Sequence, residues 1–193
     1  MKIGITGGIG SGKSYVCRLL EQRGICIYDC DDAAKRLMRE SPVLKRQLTA
    51  LIGSETYGAD GRLNKACVAQ FLLASASNAH AIDAIVHPAV ADDFLSSGFE
   101  WMECAILFES GFDRLVDRVI MVSAPEEIRL ARIVQRDGIS REKAREWIGR
   151  QWPQEEVRRR AHFEVVNDGA MPLEPQIDNI ILNIQKQQCN RQF

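Results

Sequence analysis

Eight residues constrain this chain more than any others: Gly7-Gly8-Ile9-Gly10-Ser11-Gly12-Lys13-Ser14 fits G-x-x-x-x-G-K-[ST] at every fixed position. A short β-branched run at 2–6 precedes it, and residues 14–23 follow with Val16, Leu19 and Leu20 at helical spacing before Gly24. Strand, glycine loop and helix in that order make an anion site. Glycines let successive backbone N–H groups turn inward, and the helix presents its positive N-terminus. Lys13 can then reach the β- and γ-phosphates, and Ser14 can ligate Mg²⁺. The chain is therefore expected to bind ATP and Mg²⁺ through Gly8, Ile9, Gly10, Ser11, Gly12, Lys13, Ser14 and Tyr15. It is expected to move the γ-phosphoryl group to a small-molecule acceptor. A guanine-reading N-K-x-D is missing, since the one Asn-Lys pair, Asn64-Lys65, runs into Ala66-Cys67, and 193 residues leave little room for a motor's further domains.

The remaining pattern is an alternation of strands and helices. Residues 25–28 read as a second strand that ends in Asp29-Cys30-Asp31-Asp32, followed by a helix with Ala33, Ala34, Leu37 and Met38 on one face. From 41 to 97 the spacing is helical, with punctuation at Gly53, at 58–61 and at His87-Pro88, and with no convincing strand. Residues 101–108 and 118–122 read as buried strands. Pro125-Glu126-Glu127 opens a helix through Leu130 and Ile133, and Ser140 caps another. A last strand falls at 163–166, a closing helix at 175–186 through Ile177, Ile180, Ile181 and Ile184, and a frayed tail at 187–193. About five strands separated by helices predict an α/β fold, a five-stranded, mainly parallel sheet with helices on both faces and ligands at the strands' carboxyl ends.

Charge and cysteine usage narrow the function classes. A formal net charge of −1 argues against a nucleic-acid partner. Even so, residues 129–160 hold ten Arg and Lys against five Asp and Glu, a local basic stretch that needs an explanation. The six cysteines are scattered without a C-x-x-C pair, no signal peptide is visible and no apolar run approaches 18 residues. The reading is a cytoplasmic protein with reduced thiols and no membrane partner. It leaves open whether the chain is a monomer or a small homo-oligomer.

Several side chains are candidates for the chemistry. Asp29 and Asp31, just past the second strand, can orient an acceptor hydroxyl or hold Mg²⁺ through water; ordinary helix capping is the alternative. Arg132 and Arg136 are four apart on one helical face, suited either to clamp transferring phosphate or to pair with Glu126 and Glu127 on a solvated surface. His87 reads as incidental to a helix start. His80, seven residues earlier, does not make a metal site with it. Glu109, at the end of the 101–108 run, is a surface turn residue or an acceptor-site carboxylate.

Taken together, the residues resemble the dephospho-coenzyme A kinase family over nearly the whole chain. The likeness is carried by the glycine loop, Asp29-Cys30-Asp31, Asp60-Gly61-Arg62-Leu63, His87-Pro88 and Leu107-Phe108-Glu109-Ser110-Gly111. It continues through Gln135-Arg136-Asp137, Arg150-Gln151 and Val166-Asn167-Asp168-Gly169. The chain departs from the family pattern at Tyr15, at Ala105-Ile106 and at Ala161-His162. The resemblance implies a single P-loop kinase domain with core segments 1–40, 100–136 and 162–193, a helical acceptor-binding insertion at about 41–99 and a lid at about 137–161. It implies phosphorylation of the ribose 3′-hydroxyl of dephospho-CoA to give CoA, with ATP and Mg²⁺. It also implies roles for residues. Lys13, Asp31 and Arg136 would be catalytic, and Asp29, Asp31, His87 and Glu109 would bind the acceptor. Arg132 would sit on the phosphate side of the lid, and Asn167 and Gly169 near adenine. The alternatives are a P-loop kinase of another small alcohol or nucleoside, or a nucleotide-binding regulator without acceptor turnover.

Overall fold

Strand β1 (Ile3–Thr6) is buried at all four positions, as a strand covered on both faces must be. A computed structural model, which describes residues 1–190, places it at the centre of a five-stranded sheet. The order is β2 (Ile27–Asp29), β3 (Trp101–Glu103), β1, β4 (Arg118–Ser123) and β5 (Phe163–Val166). Ile3 stands opposite Trp101 on one side and Arg118 on the other, and Ile120 pairs with Phe163, all in parallel. The glycine loop, the turn after β3 and the segments after β4 and β5 therefore emerge at one rim.

Alternate strand residues point to the same face, and Ile3, Ile5, Ile120, Val122 and Val165 share one core with two helices. Helix α1 (Lys13–Glu21) contributes Val16, Cys17, Leu19 and Leu20. Helix α9 (Leu173–Cys189) contributes Leu173, Ile177, Ile180 and Ile184. Burying each of these aliphatic side chains stabilises the fold by about 1.5–3 kcal/mol before entropy is counted. A second cluster joins Leu130 and Ile133 of α6 (Glu126–Asp137) to Ala144 of α7 (Arg141–Gly149), with Ile9, Trp147 and Ile148 packed against it. Helix α8 (Gln154–Arg160) is tied to β5 by Arg158, whose Nε lies 3.0 Å from both carboxylate oxygens of Glu164.

The chain divides into two units, one of residues 1–28 and 99–193 and one of residues 29–98. The second is helical: α2 (Cys30–Glu40), α3 (Pro42–Ile52), α4 (Lys65–Ala74) and α5 (Ala76–Ser96), with α2, α3 and α4 packed on α5. Helix α2 thus groups with the insertion rather than with the 1–40 core segment, because it packs on α5 and Arg36 pairs with Asp93 at 2.6 Å. Ser41 ends α2 and caps α3, accepting from Leu44 N–H at 3.3 Å. The Asp60-Gly61-Arg62 segment is a tight turn closed by Gly58 N–H on Arg62 O at 2.9 Å.

Three local expectations change. The strand at 101–108 ends at Glu103, followed by one further ladder bond from Cys104 N–H to Ile5 O. The chain then folds back so that Leu107 fills the space beside Gly4, where an added Cβ would lie 3.0 Å from Leu107 Cδ2. His87-Pro88 does not punctuate: α5 runs straight through Pro88, because packing by three helices outweighs the hydrogen bond that proline removes. The closing helix extends at both ends, and residues 187–189 are helical rather than frayed. Residues 191–193 of the expected tail lie outside the described residues.

Candidate phosphoryl-transfer site

The glycine loop takes its shape from the side chains behind it. Arg129, 6% exposed, donates from Nε to Ile9 O at 2.9 Å, and its guanidinium packs so close to Gly8 that a Cβ there would lie 2.5 Å from Nη2. Arg132 donates from Nη1 to Gly10 O at 3.3 Å and Ser11 O at 3.2 Å. Its Nη2 donates to Asn167 O at 3.1 Å and Oδ1 at 3.2 Å. Asn167, buried and itself hung from Ser123 O by its backbone N–H, returns Nδ2 to Ser11 O at 2.8 Å. Gly12 sits at φ +88° with Asn167 against it; a Cβ at that position would be strained and only 2.1 Å from Nδ2.

This bracing decides where the amides point. In a planar peptide the C=O and the next N–H face opposite ways. Holding Ile9 O and Ser11 O outward therefore turns the Gly10 and Gly12 N–H groups inward. Among the described residues the N–H groups of Gly10, Gly12 and Ser14 carry no hydrogen bond, and Ser11 Oγ is a buried hydroxyl with no partner. Inward donors at the start of α1, with a lysine beside them, are suited to an anion. That lysine, Lys13, is 8% exposed, and its ammonium pairs with the carboxylate of Glu103 at the end of β3. Burial holds the Arg129 pKa below its ordinary value.

The expected site residues divide as follows. Gly8, Ile9, Gly10, Ser11, Gly12, Lys13 and Ser14 come together with Arg132 and Asn167 as one cluster. Tyr15 is exposed under Arg18, whose Cζ is 5.6 Å from the ring centroid. Gly169 lies in the exposed turn after Asn167, at φ +83°. Asp168 holds this turn by accepting from the Ala170 and Met171 N–H groups at 2.9 Å each. Glu109 stands not at a strand end but in the turn after β3, accepting from Trp152 N–H at 3.1 Å. Arg136 points outward at the end of α6 in a two-bond pair with Asp137, at 2.9 and 2.8 Å; the Asp137 hydrogen bond raises its pKa.

In the second unit the two aspartates differ. Asp29 is the cap of α2, accepting from Asp32 N–H at 2.9 Å, whereas Asp31 in the first turn is exposed and carries no hydrogen bond or ion pair among the described residues. His87 Nε2 is 3.5 Å from Asp83 Oδ1, one helical turn away on α5. Sequence reasoning passed over Arg129 and Glu103. A carboxylate closing the strand beside β1 was a readable signal for Glu103. Arg129, three residues before Arg132 in the basic stretch, had no local signal to separate it from a surface cation.

A phosphate-shaped loop between β1 and α1 of a doubly covered parallel sheet defines a P-loop kinase. The family described as CoaE, dephospho-CoA kinase, matches residues 1–172. A dephospho-CoA kinase of Bacteroides fragilis (strain YCH46) is 44% identical over 188 residues, spanning 94% of this chain and 91% of its own. The chain belongs to the dephospho-CoA kinase family. Among solved structures, TT1252 from Thermus thermophilus superposes with a TM-score of 0.79 at 29% identity, covering 97% of each chain. A dephospho-CoA kinase from Campylobacter jejuni, at TM-score 0.70 and 20% identity over 97% of this chain and all of its own, shares the fold.

Proposed function

We propose that this chain carries the γ-phosphoryl group of ATP to the ribose 3′-hydroxyl of dephospho-CoA, with Asp31 orienting that hydroxyl or taking its proton. The reaction itself follows from family membership: phosphorylation of dephospho-CoA to CoA, the last step of CoA biosynthesis, with ATP as donor. One observation carries the transfer site, the outward bracing of the Ile9, Gly10 and Ser11 carbonyls, which leaves unpartnered amides to face phosphate.

The residue roles follow from charge and position. Phosphoryl transfer asks the protein mainly for positioning and for charge to meet the equatorial oxygens. Lys13 supplies one such charge, and ATP would draw its ammonium from Glu103 to the phosphates. Arg136, one pair of hydrogen bonds from being free, supplies another when the lid region at 137–161 closes and excludes water. Arg132 and Asn167 act by holding the loop. Gly169 is read as adenine-side and Tyr15 as flanking the phosphates. Asp29 is read as the residue that caps α2 and so sets Asp31. Glu109 and His87 are read as acceptor-side.

Mg²⁺ fits the residues present. Such an ion takes oxygen donors and keeps several waters while resting on substrate phosphates, so it asks few oxygens of the protein. The Ser14 hydroxyl, with Glu103 close to the loop through Lys13, would hold it, and it would supply neutralising charge to the β- and γ-oxygens. We read the setting as cytoplasmic, in keeping with six free cysteines, and the acceptor as dephospho-CoA, with no nucleic-acid or membrane partner. No helix of the described residues is long and apolar enough to cross a membrane. A coupled ADP-release assay over dephospho-CoA, adenosine and shikimate tests the reading. Dephospho-CoA should give most of the turnover. Better turnover with another acceptor would reject the acceptor assignment, and ATP binding without turnover on any would reject the kinase.

A further inference from the structure

The segment between α7 and α8, together with the first residue of α8, is fastened across the rim at three successive points. Gln151 Oε1 accepts from the Ile9 N–H at 2.7 Å, on the glycine loop after β1. Trp152 gives its N–H to Glu109 Oε1 and stacks on Phe108 in the turn after β3, with rings 6.0 Å apart at an interplanar angle of 6°; Arg160 lies over the Trp152 ring at 4.7 Å. Gln154 Oε1 accepts from Ala124 N–H at 3.2 Å, just past β4. The first fastening matters for chemistry. Ile9 has its N–H on Gln151, its C=O on Arg129 and its side chain in the α6–α7 cluster. Both peptides that flank it are thereby fixed, in a loop whose four glycines at 7, 8, 10 and 12 make it the least self-ordered part of the rim. Arg129 and Arg132 come from α6, continuous with the core, whereas Gln151 comes from the region that must move if a lid closes.

We infer that Gln151 is a positioning residue for phosphoryl transfer: it sets the Ile9 peptide from the α7–α8 segment, so that the loop is shaped for phosphate only while that segment is seated on the rim. The inference rests on the kinase reading, but its two readouts, nucleotide binding and amide exchange, need no acceptor and so can fail independently of it. Removing the Gln151 acceptor leaves the Ile9 N–H without its fixed partner, a loss typical of one hydrogen bond and equivalent to roughly 2- to 12-fold. Gln151→Ala should speed exchange of the Ile9 amide by about that factor. It should weaken Mg·ADP by a similar factor and lower kcat/KM for ATP, while leaving KM for dephospho-CoA unchanged.

Gln151→Glu keeps an acceptor at this position and should keep Ile9 protected, which a general loss of packing would not. If Gln151→Ala does not fold, Gln151→Met, which keeps the length without a strong acceptor, carries the same comparison. Unchanged Ile9 exchange and Mg·ADP affinity in the acceptor-free variant would overturn the inference. Tighter Mg·ADP binding would overturn it too, since Gln151 would then be a plug that nucleotide must displace.

Discussion

Asp29 and Asp31 sit two residues apart and call for opposite outcomes. Asp29 Oδ1 accepts from Asp32 N–H at 2.9 Å and closes the first turn of α2, so Asp29→Ala should cost about 1 kcal/mol, or roughly 2–4 °C in Tm for a chain of this size. Asn caps as well as Asp, so Asp29→Asn should change neither Tm nor turnover appreciably. Asp31 has no partner to lose and is exposed; Asp31→Asn should leave stability within about 0.5 kcal/mol. Its carboxylate charge is the only thing removed. If that charge orients the 3′-hydroxyl or accepts its proton, kcat at saturating ATP and dephospho-CoA should fall by about 10² to 10⁴, a barrier increase of roughly 3–5 kcal/mol, while KM for ATP hardly moves. The assay is coupled ADP release on variants whose thermal melts match the unmodified chain. A kcat for Asp31→Asn within about threefold of the unmodified value would refute the assignment, because no general-base role is that small. A collapse confined to Asp29→Asn would move it to the capping residue.

Glu103→Gln removes the counter-charge of a lysine that is 8% exposed; loss of one partner of a buried pair costs about 3–5 kcal/mol, so the nucleotide-free Tm should drop by roughly 6 °C or more. Saturating ATP should recover much of the drop, since phosphate replaces the lost charge, and an equal drop with ATP would contradict the hand-over of Lys13. His162 accepts the Val119 N–H on Nδ1 at 3.1 Å, and partial desolvation with the nearby Arg118 charge lowers its pKa. Because the folded pKa lies below the unfolded value of about 6.5, this stability is present above that pH and is lost as pH falls through the folded value. The Tm gap between the unmodified chain and His162→Ala should therefore shrink on acidification from pH 7 to 5; a constant gap would count against the tautomer assigned. Hydrogen exchange should show new protection in α7 when ATP and an acceptor mimic are both bound, with α8 unchanged because Arg158 already holds it to Glu164. No change in α7 would remove the lid role.

How much was readable in the sequence depended on whether the cause was local. The loop at 7–14 was legible because each glycine stands where a backbone N–H must turn or a neighbour must approach, and the pattern itself encodes that geometry. Strands β1, β4 and β5 were legible as short apolar runs. The end of β3 was not, because it is set by Leu107 packing beside Gly4, a hundred residues earlier. Pro88 read as a break because the local penalty is visible while the three helices packed on α5 are not. Arg132 and Asn167 were picked out as ligand-side residues, and the structure adds hydrogen bonds from both to loop carbonyls that the spacing did not show. Spacing marks which cations share a face but not which atoms they reach. Arg129 meets the loop only through a tertiary contact, with nothing within a few residues to mark it, while Glu103 at its strand end and Gln151 in the Arg150-Gln151 motif could be noticed locally but not paired with Lys13 and Ile9.

The most direct test of the account is the site of phosphorylation on the product. Dephospho-CoA incubated with the protein and Mg·ATP should gain one phosphate, and ³¹P NMR with fragment mass spectrometry should place it on the ribose 3′-oxygen. A product phosphorylated elsewhere, or ADP released with dephospho-CoA recovered unchanged, would contradict the central claim.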